Sequence, residues 1–170
     1  MGGTTDTIDL GRLGLSSGEG ATVTPQIAIE AVELGGQRYS ASGAVADARL
    51  DVSHTTSGYA LRLRYDIRLE GPCMRCLDPA AHELSIDARE VDQPGGGDDL
   101  RSPYLAGDEL DVKSWARDAL VLALPVQIPC TPECRGLCGI CGANLNEDPE
   151  HAHEREPDPR WQKLSELKLD

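Results

Sequence analysis

Four cysteines, Cys130, Cys134, Cys138 and Cys141, fall within a single short stretch of the chain. Thiolates are soft ligands, and four of them meet the tetrahedral demand of zinc at Zn–S distances of about 2.3 Å. Gly136 and Gly139 lie between them and Gly142 follows the last. Glycine permits the unusual backbone angles that a Cys-x2-Cys knuckle needs. The spacing therefore predicts a four-cysteine metal-binding segment over residues 126–146. The alternative, four free thiols on a surface loop, would be an oxidation liability with no benefit.

A second pair, Cys73 and Cys76, stands far upstream. Three readings are open. The pair completes a zinc site with two C-terminal cysteines, as in a split ribbon. It is a redox dithiol, with Arg75 lowering a thiolate pKa. Or it is two structural thiols packed in a turn. Redox pairs of the thioredoxin kind follow a strand and open a helix, whereas Cys73 and Cys76 sit between two strand patterns. His151 and His153 raise the number of donors to eight, enough for two tetrahedral sites. The plainer reading of a polar tail keeps both histidines solvated.

The elements that must position these groups are partly visible. Leu61, Leu63, Tyr65, Ile67 and Leu69 alternate with Arg62, Arg64, Asp66, Arg68 and Glu70. That period predicts a half-buried strand over 59–70. Leu84, Ile86 and Ala88 alternate again, so 82–91 is its partner strand and the first cysteine pair lies at a hairpin tip. Residues 22–34 and 44–52 are also strand-prone. Gln93-Pro-Gly-Gly-Gly marks a loop. Val112, Trp115, Ala116, Ala119, Leu120 and Ala123 recur at helical spacing, with Asp108 or Asp111 to cap the start and Pro125 to end it. The expected fold is α+β, an antiparallel sheet with one main helix and a C-terminal cysteine-rich zinc-binding loop. Its divisions are a flexible arm over 1–20, docking through Ile8, Leu10, Leu13 and Leu15, a β-rich domain with the helix over 21–125, the four-cysteine segment, and a polar tail over 147–170. That tail ends in a short amphipathic helix, Trp161 to Leu169.

Bulk composition narrows the function. With no Phe and 4% aromatics, the core is aliphatic and thin, so a metal staple helps it. The formal charge of -13 repels a phosphate backbone and favours a basic partner. The N-terminus lacks the basic and apolar regions of a signal peptide, and no apolar run is long enough to span a bilayer. A cytoplasmic location is expected, where cysteines bind metal rather than form disulfides. P-loop, Gly-x-Ser-x-Gly and His-Glu-x-x-His motifs are absent.

Cys-x2-Cys-Leu after a long alternating strand, an acidic loop, Asp108-Glu-Leu-Asp111, a helix running into Ala-Leu-Pro-Val, and the run from Cys130 to Asn146 together resemble the YceD family. The tail Asp158-Pro-Arg-Trp-Gln-Lys-Leu is similar too. The resemblance implies a role in accumulation of 23S ribosomal RNA and names no catalytic residue. Many relatives carry further cysteines where this chain has His151 and His153. The expected function is a non-catalytic, zinc-containing factor of large-subunit assembly that binds a basic ribosomal protein or a precursor particle, and reaches 23S RNA indirectly, with no small-molecule substrate. Two alternatives stand beside it: an RNA-binding protein using Arg62, Arg64 and Arg68, and a thiol oxidoreductase using Cys73 and Cys76.

Overall fold

The long alternating segment is the axis of the molecule. In the computed structural model, which describes residues 3–153, the chain forms eleven strands and one α-helix. The strands are β1 (Thr7–Asp9), β2 (Gly20–Val23), β3 (Gln26–Ala28), β4 (Val32–Leu34), β5 (Gln37–Ala41), β6 (Val45–Asp47), β7 (Arg49–His54), β8 (Tyr59–Pro72), β9 (Pro79–Asp92), β10 (Leu105–Ala106) and β11 (Glu109–Asp111). The helix α1 spans Val112–Ala123.

β8 and β9 pair antiparallel along their whole length, from Tyr59↔Asp92 to Pro72↔Pro79. The other edge of β8 is shared. β7 takes its first half, Tyr59 to Arg64, and β5 meets Leu69 and Glu70. β2 extends the sheet beyond β7, and β4 beyond β5. Two smaller sheets, β3–β6 and β1–β11–β10, complete the architecture. The structure is thus mostly antiparallel sheet with one main helix, as the alternation implies.

The period of two decides which face is buried. Leu61, Leu63, Tyr65, Ile67 and Leu69 point into the core, with Leu50 and Val52 from β7 and Ile86 from β9. α1 presents Val112, Trp115, Ala116 and Leu120 to the same core. Burying each such aliphatic side chain contributes about 1.5–3 kcal/mol. Two tyrosines enter this core with their hydroxyls satisfied. Tyr65 donates to the Ala116 carbonyl at 2.6 Å, tying β8 to α1. Tyr39 donates to the Pro72 carbonyl at 2.7 Å, next to the hairpin tip. The helix starts as expected, with the Asp111 carboxylate accepting the Ser114 N–H.

Residues 7–13, expected to lie in a flexible arm, are held. β1 pairs with β11, and Leu10 is 1% exposed. Three residues are too few to show a period, so this strand is invisible in the sequence. The expected helix at Trp161–Leu169 lies outside the described residues.

Candidate metal centres

The β8–β9 hairpin closes at Pro72↔Pro79 and leaves residues 73–78 as its tip. There the Cys73 N–H donates to the Asp78 carbonyl at 2.7 Å, and the Leu77 N–H to the Cys73 carbonyl at 3.0 Å. This turn sets Cys73 and Cys76 side by side, both buried. The chain leaving α1 returns to the same tip. Met74 binds Ile128 twice, by its N–H to the Ile128 carbonyl at 3.1 Å and by its sulfur to the Ile128 N–H at 3.4 Å. That clasp delivers Cys130 and Cys134.

The four sulfurs of Cys73, Cys76, Cys130 and Cys134 lie within 4.8 Å of one another. Cys73 and Cys134 are 3.7 Å apart, and Cys76 and Cys130 are 3.5 Å apart. A disulfide needs about 2.05 Å. A tetrahedral ion with metal–sulfur bonds of about 2.3 Å needs S···S edges near 3.8 Å. The four thiols are therefore not bonded as disulfides, and their spacing fits a metal ion.

The backbone prepares the site for charge. Burial opposes ionisation of Cys73, but N–H groups of Cys76, Arg75 and Cys130 aimed at its sulfur outweigh it and lower its pKa to about 6. Cys76 is pushed up, by burial first and then by hydrogen bonds to Asp78, Cys130 and Cys73. One thiolate makes the next costlier; a cation between them reverses that.

The second centre repeats the design. The Gly142 N–H donates to the Cys138 carbonyl, and the Cys138 N–H to the Ala143 carbonyl, both at 2.8 Å. The Ile140 N–H points at the Cys138 sulfur at 3.5 Å, as the Arg75 N–H points at Cys73 at 3.4 Å. N–H groups of Cys141 and Ile140 lower the Cys138 pKa to about 6. His151 and His153 complete the group. Their Nε2 atoms lie 3.2 and 3.3 Å from the Cys141 sulfur and 3.0 Å from each other. Edges of about 3.3–3.6 Å are expected for nitrogen and sulfur around one tetrahedral ion, so these donors sit slightly tighter than an occupied tetrahedron. The Asp148 carboxylate is 3.6 Å from His151 Nδ1, on the side that leaves Nε2 for a metal.

The expected ligand set is thus regrouped. Cys130, Cys134, Cys138 and Cys141 do not converge on one point; the first two join Cys73 and Cys76, and the last two join His151 and His153. A Cys-x2-Cys turn presents both its sulfurs to one ion, so each such turn recruits a separate pair of outside donors. Of the three readings for the hairpin cysteines, the split site matches this grouping. The histidines, read as solvated tail residues, face the second knuckle. Sequence reasoning missed the polar residues that join the centres. Asn144 donates to the Asp78 carboxylate at 3.0 Å, and Asn146 to the Cys134 sulfur at 3.5 Å. Only their position just beyond Cys141 pointed to them.

Both knuckles need a left-handed residue after the second cysteine. Gly142 has φ 77°, and Leu77 has φ 67°. A non-glycine residue costs about 1–2 kcal/mol there, and Leu77 is 55% exposed, so its side chain returns little. Leu77→Gly is expected to stabilise the protein by about 1 kcal/mol, read as a rise in denaturant midpoint. An unchanged or lower midpoint would show that Leu77 makes up its strain elsewhere.

The arginine stripe on β8 is neutralised within the sheet. Arg62 grips Asp87 through two hydrogen bonds, at 2.8 and 2.6 Å. Arg64 binds Asp51, whose pKa is lowered to about 2, first by the Thr22 hydroxyl and then by Arg64 and Arg49. Arg68 pairs with Glu70 and Glu83, both at 3.1 Å. Among the described residues no helix is long and apolar enough to cross a membrane.

Known proteins resemble this sequence. An uncharacterized protein of Mycobacterium tuberculosis H37Rv is 28% identical over 175 residues, covering 95% of this chain and 80% of its own. An uncharacterized protein of Mycobacterium leprae is 38% identical over 64 residues, 38% of this chain and 29% of its own. A maize protein, named large ribosomal RNA subunit accumulation protein YCED homolog 1, chloroplastic, is 39% identical over 59 residues, 35% of this chain and 20% of its own. No solved structure matches the chain. The family model for large ribosomal RNA subunit accumulation protein YceD matches residues 61–168, which includes both knuckles and all eight donors. The chain belongs to the YceD family.

Proposed function

We propose that this protein is a non-catalytic factor of cytoplasmic ribosome biogenesis that holds zinc in both centres and binds a basic ribosomal protein or a large-subunit precursor. Family membership is the observation that carries the reading. Through such binding it would support accumulation of 23S ribosomal RNA. Zinc suits sulfur-rich tetrahedral sets. Catalytic zinc keeps a position open for water or substrate, whereas each centre here offers four protein donors, the pattern of a structural ion.

Charge supports a protein partner over naked RNA. The net charge of -13 opposes phosphate, and the three arginines best placed to offset it are paired with carboxylates. A thiol-exchange role is disfavoured because Cys73 is fully buried, and exchange requires access to the attacking sulfur.

The test is capture of large-subunit components from lysate on tagged protein, with and without ribonuclease. Association is expected to weaken as salt rises and to survive ribonuclease. Complete loss on ribonuclease treatment, together with binding of purified ribosomal RNA at physiological salt, would move the role to direct RNA recognition.

A further inference from the structure

β9 is a strand of 14 residues whose inner edge pairs with β8 without a bulge. Its outer edge makes no backbone hydrogen bond among the described residues. Edges left to solvent are usually short, bulged or broken by proline, since an open row of N–H and C=O groups invites another strand. β9 has proline only at its first position. Beside it runs a groove under α1, lined by Ala88, Glu90, Tyr104, Trp115, Ala119 and Leu122. Leu122 is 87% exposed.

The sequence of β9 shows what fits this edge. Its core face carries Ala80, His82, Leu84, Ile86, Ala88 and Glu90. Its outer face carries Ala81, Glu83, Ser85, Asp87, Arg89 and Val91. A second β9, run antiparallel about a two-fold axis, must keep like faces together. Centred on Ile86, the pairing sets Glu83 opposite Arg89, and the symmetry makes this pair twice. It also sets His82 opposite Glu90, Ser85 opposite Asp87, Leu84 opposite Ala88 and Ala81 opposite Val91. The adjacent registers that preserve the faces fail. Centring on Ser85 puts Glu83 opposite Asp87. Centring on Asp87 puts that carboxylate opposite its own copy and Leu84 opposite Glu90. Opposite charges across a strand pair attract and like charges repel, so of these three registers the one centred on Ile86 is favoured. Centring on Ala88 also pairs Asp87 with Arg89 but sets Ile86 opposite Glu90.

We propose that the protein is a two-fold homodimer formed by antiparallel pairing of β9 with β9 of a second copy, centred on Ile86. The same patch serves both copies, as two-fold symmetry requires. Pairing joins the two large sheets into one and brings the second copy's Leu84 and Ile86 alongside the groove at Leu122. The reading needs neither metal nor a ribosomal partner.

The test is the mass of the full chain in solution, by sedimentation across micromolar concentrations, with circular dichroism to confirm folding. Wild type is expected to dimerise. Arg89→Glu makes two like-charge contacts with Glu83 and is expected to weaken dimerisation about tenfold or more. The double variant Glu83→Arg/Arg89→Glu recreates both pairs and is expected to recover most of that loss. A wild type that stays monomeric, a dimer unmoved by Arg89→Glu, or a double variant no better than the single one would each overturn the pairing.

Discussion

Cys134→Ser is expected to lower the melting temperature by about 10 °C or more and to reduce bound zinc from two ions per chain to one. Cys134 is fully buried and 3.7 Å from Cys73. Serine removes one of four soft ligands and puts a poorly matched hydroxyl among three sulfurs. Metal binding to a site absent from the unfolded chain is itself folding free energy, about 10–16 kcal/mol for small zinc peptides. Even a third of that, spread over a chain of this size, shifts the midpoint by about 2–4 °C per kcal/mol. The control is Cys141→Ser. It removes a candidate donor of the second centre, which is partly exposed and held by a short segment. It is expected to lose one zinc as well, with a fall in midpoint of only about a third as much. Metal analysis beside thermal unfolding reads both. A Cys134→Ser protein that melts like wild type and keeps two zinc ions would remove that residue from the ligand set.

Gly71→Ala is expected to cost about 2–4 kcal/mol, although it adds one methyl group. Gly71 continues the β5 register, opposite Tyr39. A Cβ there would lie 2.5 Å from the Tyr39 ring and 2.8 Å from the Arg38 carbonyl. Ordinary overpacking costs about 1–3 kcal/mol, and here one obstacle is backbone that cannot turn away. Displacing the ring also breaks the Tyr39 hydrogen bond to Pro72, the residue before Cys73. Tyr39→Phe alone is expected to cost about 1–3 kcal/mol by leaving the Pro72 carbonyl unsatisfied. Gly71→Ala with Tyr39→Leu should cost less than the sum of the two single changes, because the smaller side chain makes room. Additive costs in denaturant unfolding would show that the ring is not the obstacle.

The strongest features of the sequence are those where one residue type repeats. The charged and apolar alternation of β8 predicts its strand, its buried face and the hairpin that carries Cys73 and Cys76. Asp111 and the spacing of Trp115, Ala116 and Leu120 predict α1. The short strands are another matter. β1 and β11 are three residues each, and their pairing depends on contacts across the chain. The metal centres fall between these cases. The eight donors can be counted in the sequence, but their partition depends on Met74 meeting Ile128, a contact with no local signature. His151 and His153 sit in a polar stretch, where neighbours say nothing about direction.

The Met74–Ile128 clasp also bears on the order in which the chain is made. The first centre joins sulfurs 54 and 61 positions apart. Such a cross-link removes about 4 kcal/mol of unfolded-chain entropy, if an ion acts as a covalent bridge does. During synthesis the hairpin tip emerges with two ligands, and the other two follow only after α1 and the turn beyond it. A ribosome paused within α1 therefore holds half a site, unable to enclose an ion tetrahedrally. Metal capture at the first centre would consequently be a late event, and the second centre would complete later still, when His153 leaves the exit tunnel.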